Sequence, residues 1–298
     1  MAVKILVPAT SANVGAGFDA LGLALSLHNT VTMEEWDKLD IMASDGSLVP
    51  TGTSNLIYRS AKAVYEQLGK PIKGLRIRQE NPIPMARGLG SSSACIVAGI
   101  LGANALLGNP LTKRQMLTLA TSIEGHPDNV APAMLGGFVS SVFDEGQVFT
   151  ARKEINEELA FAAFIPNFKL LTEKARAALP KTVDRRDAVY NLSRAALATA
   201  AFCDGDYELL RVATKDALHQ QYRLPLIPGG ERVFEIAWDL GAYAVYISGA
   251  GPTIMAVVHR DNCEFFEKAE EALLEQPETM AFSLRRMLAD NSGAVVEW

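Results

Sequence analysis

A glycine- and serine-rich segment begins at Pro84 and runs into a long apolar stretch that ends near Leu107. Gly88 and Gly90 allow the backbone to adopt positive φ and to approach a ligand closely. A helix that begins at such a turn offers unpaired N–H groups and the positive end of its dipole, which together bind phosphate. The order of strand, glycine-rich turn, serines and buried helix therefore indicates an anion site for a nucleotide phosphate chain.

Two familiar phosphate sites do not fit this segment, because it lacks the Gly-Lys-Ser/Thr ending of a P-loop and the spaced glycine triplet of a dinucleotide fold. Serines are also common helix caps without any ligand. Three successive serines after Gly-Leu-Gly exceed what capping requires, so we favour phosphate binding. The residues of this predicted cradle, termed the phosphate loop below, are Pro84, Met85, Ala86, Arg87, Gly88, Leu89, Gly90, Ser91, Ser92, Ser93 and Ala94.

The composition excludes several classes of function. The 298 residues are 49% hydrophobic and 21% charged, which predicts a sizeable core rather than disorder. The net charge of −6 argues against a nucleic-acid partner. The longest apolar stretch, residues 94–107, is interrupted by glycines and is too short to span a membrane, and the N-terminus does not read as a signal peptide. Three scattered cysteines and four dispersed histidines indicate reduced thiols in the cytoplasm and no protein-built metal centre.

The elements that must position the phosphate loop can be placed from hydrophobic periodicity. In the first half we predict strands at 3–7, 30–36 and 75–79, helices at 57–68, 91–107 and from Thr112 onward with a capping box to Gln115, and a hairpin of 136–143 with 147–152. In the second half we predict strands at 161–165, 244–247 and 254–258, and helices at 172–179, 187–202, 207–218, 231–240 and 262–275. Strands and helices do not alternate one to one, which favours an α+β fold. We place the domain boundary so that residues 1–157 and 158–298 form two domains.

Three segments of the chain resemble the motifs of one family, in its order and at its separations. They are residues 8–19, the phosphate loop, and residues 248–253. They are similar to the three motifs of the GHMP kinases, which include galactokinase, homoserine kinase, mevalonate kinase and phosphomevalonate kinase. The stretches PATSANVGAGFDALG, EGHPDNVAPA, TEKAR and YRLPLIPG resemble most the members that phosphorylate homoserine. The resemblance implies an N-terminal ATP-binding domain, a C-terminal ferredoxin-like α/β sandwich, ATP as co-substrate, Mg²⁺, and L-homoserine as acceptor in threonine biosynthesis.

The same resemblance implies roles for individual residues. Ser92 and Glu124 offer the hard oxygen ligands that Mg²⁺ prefers. An amino-acid acceptor needs a carboxylate for its ammonium group and guanidinium groups for its carboxylate. The implied L-homoserine-binding residues are Asn13, Asp19, Asn129, Arg176 and Arg223, and the implied catalytic residues are Asn129, Thr172 and Arg176.

The route of the acceptor proton is left open between two neighbouring residues. The resemblance implies that Asn129, and not Asp128, faces the substrate. An amide cannot act as a base. We therefore expect Asn129 to orient the hydroxyl while the proton leaves to a phosphate oxygen or water. Asp128 as a direct base is the competing interpretation. His126 lies between glycine and proline and is expected to shape the turn.

Other functions and contacts also remain open. The alternatives are another GHMP kinase, of the mevalonate or diphosphocytidyl-methylerythritol type, and a non-catalytic nucleotide-binding regulator. Arg87 stands where a small residue is expected and is predicted to point outward or toward phosphate. Asn55 and Tyr58 are candidates for contacting the adenine base. The oligomeric state is undetermined, with a homodimer as one alternative.

Overall fold

Two β-sheets and their helices make up the fold in a computed structural model that describes residues 2–298. The strands are β1 Ala2–Ala12, β2 Leu21–Glu35, β3 Asp40–Ala43, β4 Leu75–Glu80, β5 Phe138–Asp144, β6 Gln147–Lys153, β7 Leu159–Pro166, β8 Ala244–Ile247, β9 Ile254–His259, β10 Phe282–Met287 and β11 Val295–Glu297. The helices are α1 Leu56–Gln67, α2 Ser91–Leu106, α3 Lys113–Glu124, α4 Pro127–Leu135, α5 Thr172–Ala177, α6 Arg185–Asp204, α7 Leu210–Ala213, α8 Gln220–Arg223, α9 Gly230–Asp239 and α10 Cys263–Glu275. Within residues 2–298, no helix is both long and apolar enough to cross a membrane.

The first sheet has the strand order β11-β1-β2-β4-β3, with β5 also bound to β2 and β6 bound to β5. Its pairs are antiparallel apart from β3 with β4. Helices α2 and α4 pack on β1 and β2, and α1 and α3 pack on α2. Twelve of the 16 residues of α2 are buried, which confirms the central buried helix behind the phosphate loop.

The second sheet has the antiparallel order β10-β7-β9-β8, with α9 and α10 against it. This order, in a chain that runs β-α-β-β-α-β, is that of the predicted ferredoxin-like sandwich. Because successive side chains of a strand point to opposite faces, β7 serves two cores. Ala160, Ala162 and Phe164 join the core beneath α9 and α10, whereas Phe161 and Ala163 join the core of the first sheet. The second sheet is therefore buried on both faces.

The two sheets are also linked through the backbone. The N–H of Ser26 in β2 donates to the carbonyl of Leu288, and the N–H of Leu288 donates to the Ser26 hydroxyl. Strand β11 then returns to pair with β1 in the first sheet. Strand β7 opens the second sheet at Leu159, and the division into 1–157 and 158–298 stays a prediction.

Periodicity placed most of the elements, and the exceptions have local causes. The helix predicted at 207–218 is wrong, because the chain forms only a 3-10 turn and α7 before the Thr214 hydroxyl turns back onto the Leu210 carbonyl. The Asp216 carboxylate then accepts the N–H groups of the segment that leads into α8. The strand predicted at 30–36 is only the second half of β2. Helix α4, which contains Pro132, and the short β3 were not predicted from the sequence.

Candidate active site

The phosphate loop turns sharply before α2 and is held there by positive φ angles. Gly88 has φ +77° and Gly90, which caps α2, has φ +70°. A side chain on Gly90 would meet the hydroxyl of Thr10 at 1.9 Å, so the loop packs directly on β1. The first N–H groups of a 16-residue helix face the turn, with Ser92 exposed beside them. This geometry fits the predicted phosphate cradle.

The turn at residues 248–253, which is the third motif and joins β8 to β9, binds the phosphate loop from the second sheet. The Ser248 hydroxyl donates to the Gly88 carbonyl at 2.6 Å, and the Thr253 N–H donates to the Arg87 carbonyl at 3.2 Å. Ser11 of β1 hydrogen-bonds Ser248 at 2.7 Å. The three sequence motifs therefore meet in one place, although they are far apart in the chain.

Arg87 is among the residues that line the cavity beside the phosphate loop, and backbone carbonyls hold its guanidinium. Its contact with phosphate stays a prediction. Its Nε donates to the Pro166 carbonyl at 2.8 Å, and its Nη2 donates to the Asn167 carbonyl at 2.7 Å. Burial lowers the pKa of the Arg87 guanidinium, which stays charged at neutral pH. The side chain fastens the phosphate loop to the end of β7.

Ser92 and Glu124 come together as predicted. The hydroxyl groups of Ser92 and Ser93 donate to the two carboxylate oxygens of Glu124 at 3.0 and 2.9 Å. Glu124 is the last residue of α3, and Gly125 follows in a left-handed cap. The donor set is all oxygen and lies beside the cradle, which suits Mg²⁺.

The first motif forms a strained turn between β1 and β2. Asn13 has φ +68° and Asp19 has φ +56°, a region that asparagine and aspartate tolerate better than most residues. The Asn13 amide donates to the Gly249 carbonyl at 2.7 Å and accepts the Asp19 N–H at 3.0 Å. Asn13 is only 3% exposed, and its amide group stabilises this turn. The residue is also part of the lining of the cavity.

Asp19 and Arg176, which the sequence assigned to opposite ends of an amino-acid substrate, are paired with each other. Two guanidinium nitrogens of Arg176 donate to the two Asp19 oxygens at 2.7 and 3.1 Å. Burial opposes the Arg176 charge, but the hydrogen bonds that Arg176 donates to Asp19, together with the Asp19 charge, outweigh it and raise the pKa of Arg176. Both side chains are about one-third exposed and line the same cavity. The pair presents adjacent opposite charges, the pattern that a zwitterion matches.

Arg223 lies deeper, with 1% of its surface exposed. Its Nη1 donates to the Gly249 carbonyl at 3.0 Å, and its Nε has no hydrogen-bond partner among residues 2–298. Burial and the Arg176 charge lower the pKa of Arg223 to about 10. A buried guanidinium with an unused donor is costly unless a ligand supplies an acceptor.

His219 holds Arg223 from behind. Its Nε2 lies 2.8 Å from the Gly15 carbonyl, which only accepts, so the proton is on Nε2. Its Nδ1 therefore accepts from Arg223 Nη1 at 3.3 Å. Burial lowers the pKa of His219, which keeps the ring neutral in this tautomer. Phe18 stacks on the His219 ring, and the two guanidinium groups of the cavity lie 5.2 and 5.7 Å from the Phe18 centroid.

Asn129 is oriented by a residue that the site prediction did not include. The Thr10 hydroxyl donates to Asn129 Oδ1 at 2.7 Å, which directs the amide nitrogen away from β1. That nitrogen lies 3.4 Å from Asp128 Oδ1. Asp128 is 2% exposed and hydrogen-bonds His126 Nδ1, while Asn129 is more accessible. His126 immediately precedes α4, in agreement with its predicted place in the turn.

A second group of potential metal ligands lies in the same cavity. One atom each of Asp19, His126 and Asp128 can be chosen so that all three lie within 4.8 Å of one another. These atoms are already engaged, because Asp19 pairs with Arg176 and Asp128 pairs with His126. A nearby guanidinium also disfavours a cation. The oxygen set of Ser92 and Glu124 is therefore the better fit for Mg²⁺.

A single cavity between the two sheets collects nearly all of the predicted residues. Its lining includes the loop from Ala86 to Ser93 and the residues Asn13, Asp19, Glu124, Asn129, Thr172, Arg176 and Arg223. Asn55 is not among them. Its Oδ1 caps α1 by accepting two N–H groups, its amide donates to the Pro50 carbonyl, and it is 2% exposed. The adenine contacts of Asn55 and Tyr58 stay predictions.

Several functional contacts were missed because nothing in the local sequence marks them. Thr10 and His219 act through residues far away in the chain, and Arg87 reaches across to β7. Thr10 and Arg87 lie inside sequence motifs, but no local pattern marks the distant partners that they contact. The assembled cavity places an anion cradle and oxygen ligands at one end and adjacent opposite charges at the other. Such a site can align a nucleotide phosphate with a small zwitterion.

Comparisons with known proteins agree with this geometry. A family model described as the GHMP kinases N terminal domain matches residues 55–137, and one described as GHMP kinases C terminal matches residues 198–273. A homoserine kinase of Clostridium beijerinckii is 45% identical over 99% of this chain and 98% of its own length. A homoserine kinase of Caldicellulosiruptor saccharolyticus is 44% identical over 99% of this chain and 96% of its own length.

Solved structures give the same fold. A crystal structure of homoserine kinase from Cytophaga hutchinsonii superposes with a TM-score of 0.88 at 29% identity, covering 99% of this chain and 97% of that one. A mevalonate diphosphate decarboxylase from Enterococcus faecalis superposes with a TM-score of 0.73 at 16% identity, covering 100% and 99%. At that identity the second likeness concerns the fold alone.

Proposed function

We propose that this chain, which belongs to the GHMP kinase family, transfers the γ-phosphoryl group of ATP to the side-chain hydroxyl of L-homoserine and forms O-phospho-L-homoserine, a step of threonine biosynthesis. One observation carries the choice of acceptor. The cavity that holds the phosphate loop also holds Asp19, Arg176 and Arg223, whose charges match an α-amino acid. Mevalonate has a carboxylate but no ammonium group, so it offers no positive charge to match Asp19.

The chain contributes position and charge to this reaction, as phosphoryl transfer requires. The N–H groups at the start of α2 and the serines of the phosphate loop receive the phosphates. Mg²⁺ held at Ser92 and Glu124 would neutralise phosphate charge. Arg223 and Arg176 bind the acceptor carboxylate, and Asp19 binds its ammonium group. Thr172 lines the cavity one turn before Arg176 and completes the acceptor side.

The acceptor hydroxyl is oriented by Asn129 in this proposal. Its carbonyl oxygen is occupied by Thr10, so its amide nitrogen is the group left to contact the hydroxyl oxygen. The hydroxyl proton then leaves to a phosphate oxygen or to water. Asp128, buried and bonded to His126, stays the competing candidate for a base. A cytoplasmic location with free thiols is part of the proposal, and all three cysteines are unpaired among the described residues.

Turnover with a panel of acceptors tests the function. ADP release is measured with L-homoserine, with mevalonate, with 4-hydroxybutyrate, which lacks the ammonium group, with 3-aminopropanol, which lacks the carboxylate, and without acceptor. We expect fast turnover with homoserine alone. Turnover with mevalonate but not homoserine would overturn the assignment, and binding of ATP without turnover on any acceptor would favour the regulator.

A variant of Asp19 tests whether this carboxylate binds the ammonium group of the acceptor. Asp19→Asn is expected to lower kcat/KM for homoserine by roughly 10- to 150-fold, because the acceptor ammonium loses a hydrogen bond to a charged group, which is worth about 1.5–3 kcal/mol. The same variant should change the weak activity on 4-hydroxybutyrate much less. Glu34→Gln is the matched control, since Glu34 pairs with Arg76 at a similar exposure far from the cavity. Equal losses on both acceptors would contradict the role of Asp19.

The proton route is tested by two neighbouring substitutions. Asn129→Ala should lower kcat by about 10- to 100-fold through the loss of an orienting hydrogen bond. Thr10→Val should cause a smaller loss of the same kind, because it frees the amide to rotate. If Asp128→Asn lowers kcat by about 100-fold or more and Asn129→Ala does not, the base is Asp128 and the orienting role is refuted.

A further inference from the structure

Arg223 is buried, and the protein uses only part of its guanidinium. Its Nη1 donates to the Gly249 carbonyl at 3.0 Å and lies 3.3 Å from His219 Nδ1. A guanidinium has five N–H groups, and these two acceptors account for both of those on Nη1. Neither Nε nor Nη2 has an acceptor among residues 2–298. The edge formed by Nε and Nη2 is therefore free, and such an edge binds a carboxylate through two parallel hydrogen bonds.

His219 fixes which edge of the guanidinium is free. Because the Gly15 carbonyl can only accept, the Nε2–H of His219 donates to it at 2.8 Å and leaves Nδ1 as an acceptor. Without that acceptor, Nη1 of Arg223 would keep only the Gly249 carbonyl, and the guanidinium could turn about this single contact. Nδ1 supplies the second point of attachment, and two points fix the orientation of a planar group.

The imidazole ring of His219 is itself held on several sides. The side chains of His219 and Asp216 have no exposed surface. The Asp216 carboxylate accepts the backbone N–H groups of His219 and Gln220 and the side-chain amide of Asn191, so its charge is satisfied without a proton from the ring. Phe18 stacks on the ring with 5.2 Å between the two centroids. The ring is therefore held in one orientation and one tautomer.

The surroundings also keep the His219 ring neutral. Burial and the Arg223 charge lower the pKa of His219, although the carboxylates of Asp216 and Asp19 oppose them. An imidazolium has an N–H at both ring nitrogens and could not accept from Arg223. It would also add a positive charge beside Arg223, whose pKa burial and the Arg176 charge already lower. Only the neutral ring can therefore hold the guanidinium.

We propose that His219 is a positioning residue that presents the Nε–Nη2 edge of Arg223 to the acceptor carboxylate and so makes the site select acceptors that carry a carboxylate. This role rests on the proposed function, because it names a determinant of acceptor choice at the same site. The lining of the cavity does not include His219, so the residue acts through Arg223. The ammonium end of the acceptor, bound by Asp19, does not depend on it.

Two amides at position 219 form a matched pair of variants. An asparagine side chain can place its oxygen near the position of Nδ1, whereas a glutamine side chain can place its nitrogen near the position of Nε2. His219→Asn therefore keeps an acceptor for Arg223 and loses the contact with Gly15, and His219→Gln does the reverse. Both variants remove the ring, so a difference between them isolates the Nδ1 acceptor. Urea unfolding checks that both are folded.

Steady-state kinetics with L-homoserine and with 3-aminopropanol measure the selectivity. Loss of a hydrogen bond to the charged Arg223 should lower kcat/KM for homoserine in His219→Gln by roughly 10- to 100-fold, mainly through KM. The acceptor 3-aminopropanol has no carboxylate, so its kcat/KM should change by less than about threefold. His219→Asn should keep kcat/KM for homoserine within about fivefold of the wild type. Equal losses on both acceptors in His219→Gln, or a larger loss on homoserine in His219→Asn, would overturn the proposal.

Nitrogen-15 NMR of the histidine rings tests the geometry without turnover and without a variant. The His219 ring is assigned through the backbone of the same residue, and we expect it to be neutral near neutral pH with its proton on Nε2. A proton on Nδ1, or a doubly protonated ring, would refute the role even if the variants fail to fold. Should the wild type not phosphorylate homoserine, the proposed function fails. Calorimetric binding of homoserine and 3-aminopropanol then gives the same comparison of the two variants.

Discussion

Substituting Gly88 by alanine probes the contact between the phosphate loop and the second domain. Gly88 has φ +77°, and a Cβ atom there would lie 2.3 Å from the Ser248 carbonyl oxygen and 2.9 Å from that of Gly251. Because both neighbours are backbone atoms, neither can rotate away. Gly146 has φ +74° in the β5–β6 turn with no atom within 4 Å of such a Cβ, so Gly146→Ala is the matched control.

The expected magnitude follows from these distances. The backbone conformation costs both variants about 1–2 kcal/mol. At Gly88 the contact must also open from 2.3 Å to at least 3.0 Å, a shift of 0.7 Å. That shift stretches the hydrogen bond from Ser248 to the Gly88 carbonyl and the one from Thr253 to the Arg87 carbonyl, at about 1 kcal/mol each. We expect Gly88→Ala to lose about 3–4 kcal/mol of stability and Gly146→Ala about 1–2 kcal/mol.

The catalytic loss should be specific to Gly88. A displacement of this size in a catalytic loop can cost about 100-fold, so kcat/KM for ATP should fall by about 10- to 100-fold. The assay combines urea unfolding with steady-state kinetics at varied ATP. Gly146→Ala should keep the kinetic constants of the wild type. If Gly88→Ala unfolds at the same urea concentration as Gly146→Ala and keeps kcat/KM within about twofold, the cross-domain clamp does not position the loop.

The pH dependence of stability and the reactivity of the cysteine thiols give two further tests of the structure. Burial lowers the pKa of His126, but its hydrogen bond to Asp128 and the Asp128 charge outweigh this and raise the pKa above the ordinary value. The stabilisation is therefore complete below about pH 6.5 and is lost as the pH rises through the folded pKa. The urea concentration at the unfolding midpoint should therefore fall as the pH is raised above about 6.5, and this fall should be absent in His126→Gln. Equal pH dependence of the midpoint in the wild type and in the variant would contradict the stabilising role of His126. Burial also raises the pKa of the Cys95 thiol to about 12, so Cys263 should react at once at pH 8 and Cys95 only after unfolding.

Much of the fold could be predicted from local sequence, because several helices and strands are specified by residues within the element itself. The capping box of Thr112 with Gln115 opens α3 as predicted, and the all-round apolar sequence of α2 matches its burial. Helix α4 escaped prediction because Pro132 argues against a helix interior, although its packing on β1 and β2 outweighs that local preference. The helix predicted at 207–218 failed because side chains of Thr214 and Asp216 offered the backbone better partners.

The sequence by itself indicated the phosphate loop, because glycine conformation and helix dipoles are properties of the residues themselves. The oxygen pair of Ser92 with Glu124 and the charged acceptor residues were implied by the resemblance to the GHMP kinases. Only the tertiary structure decided how these residues are used. It paired Asp19 with Arg176, set His219 behind the buried Arg223, and fastened Arg87 to the end of β7. Contacts within the site join residues as far as 237 positions apart, as in the bond between Ser11 and Ser248. No local pattern encodes them, because they exist only after the two sheets have packed together.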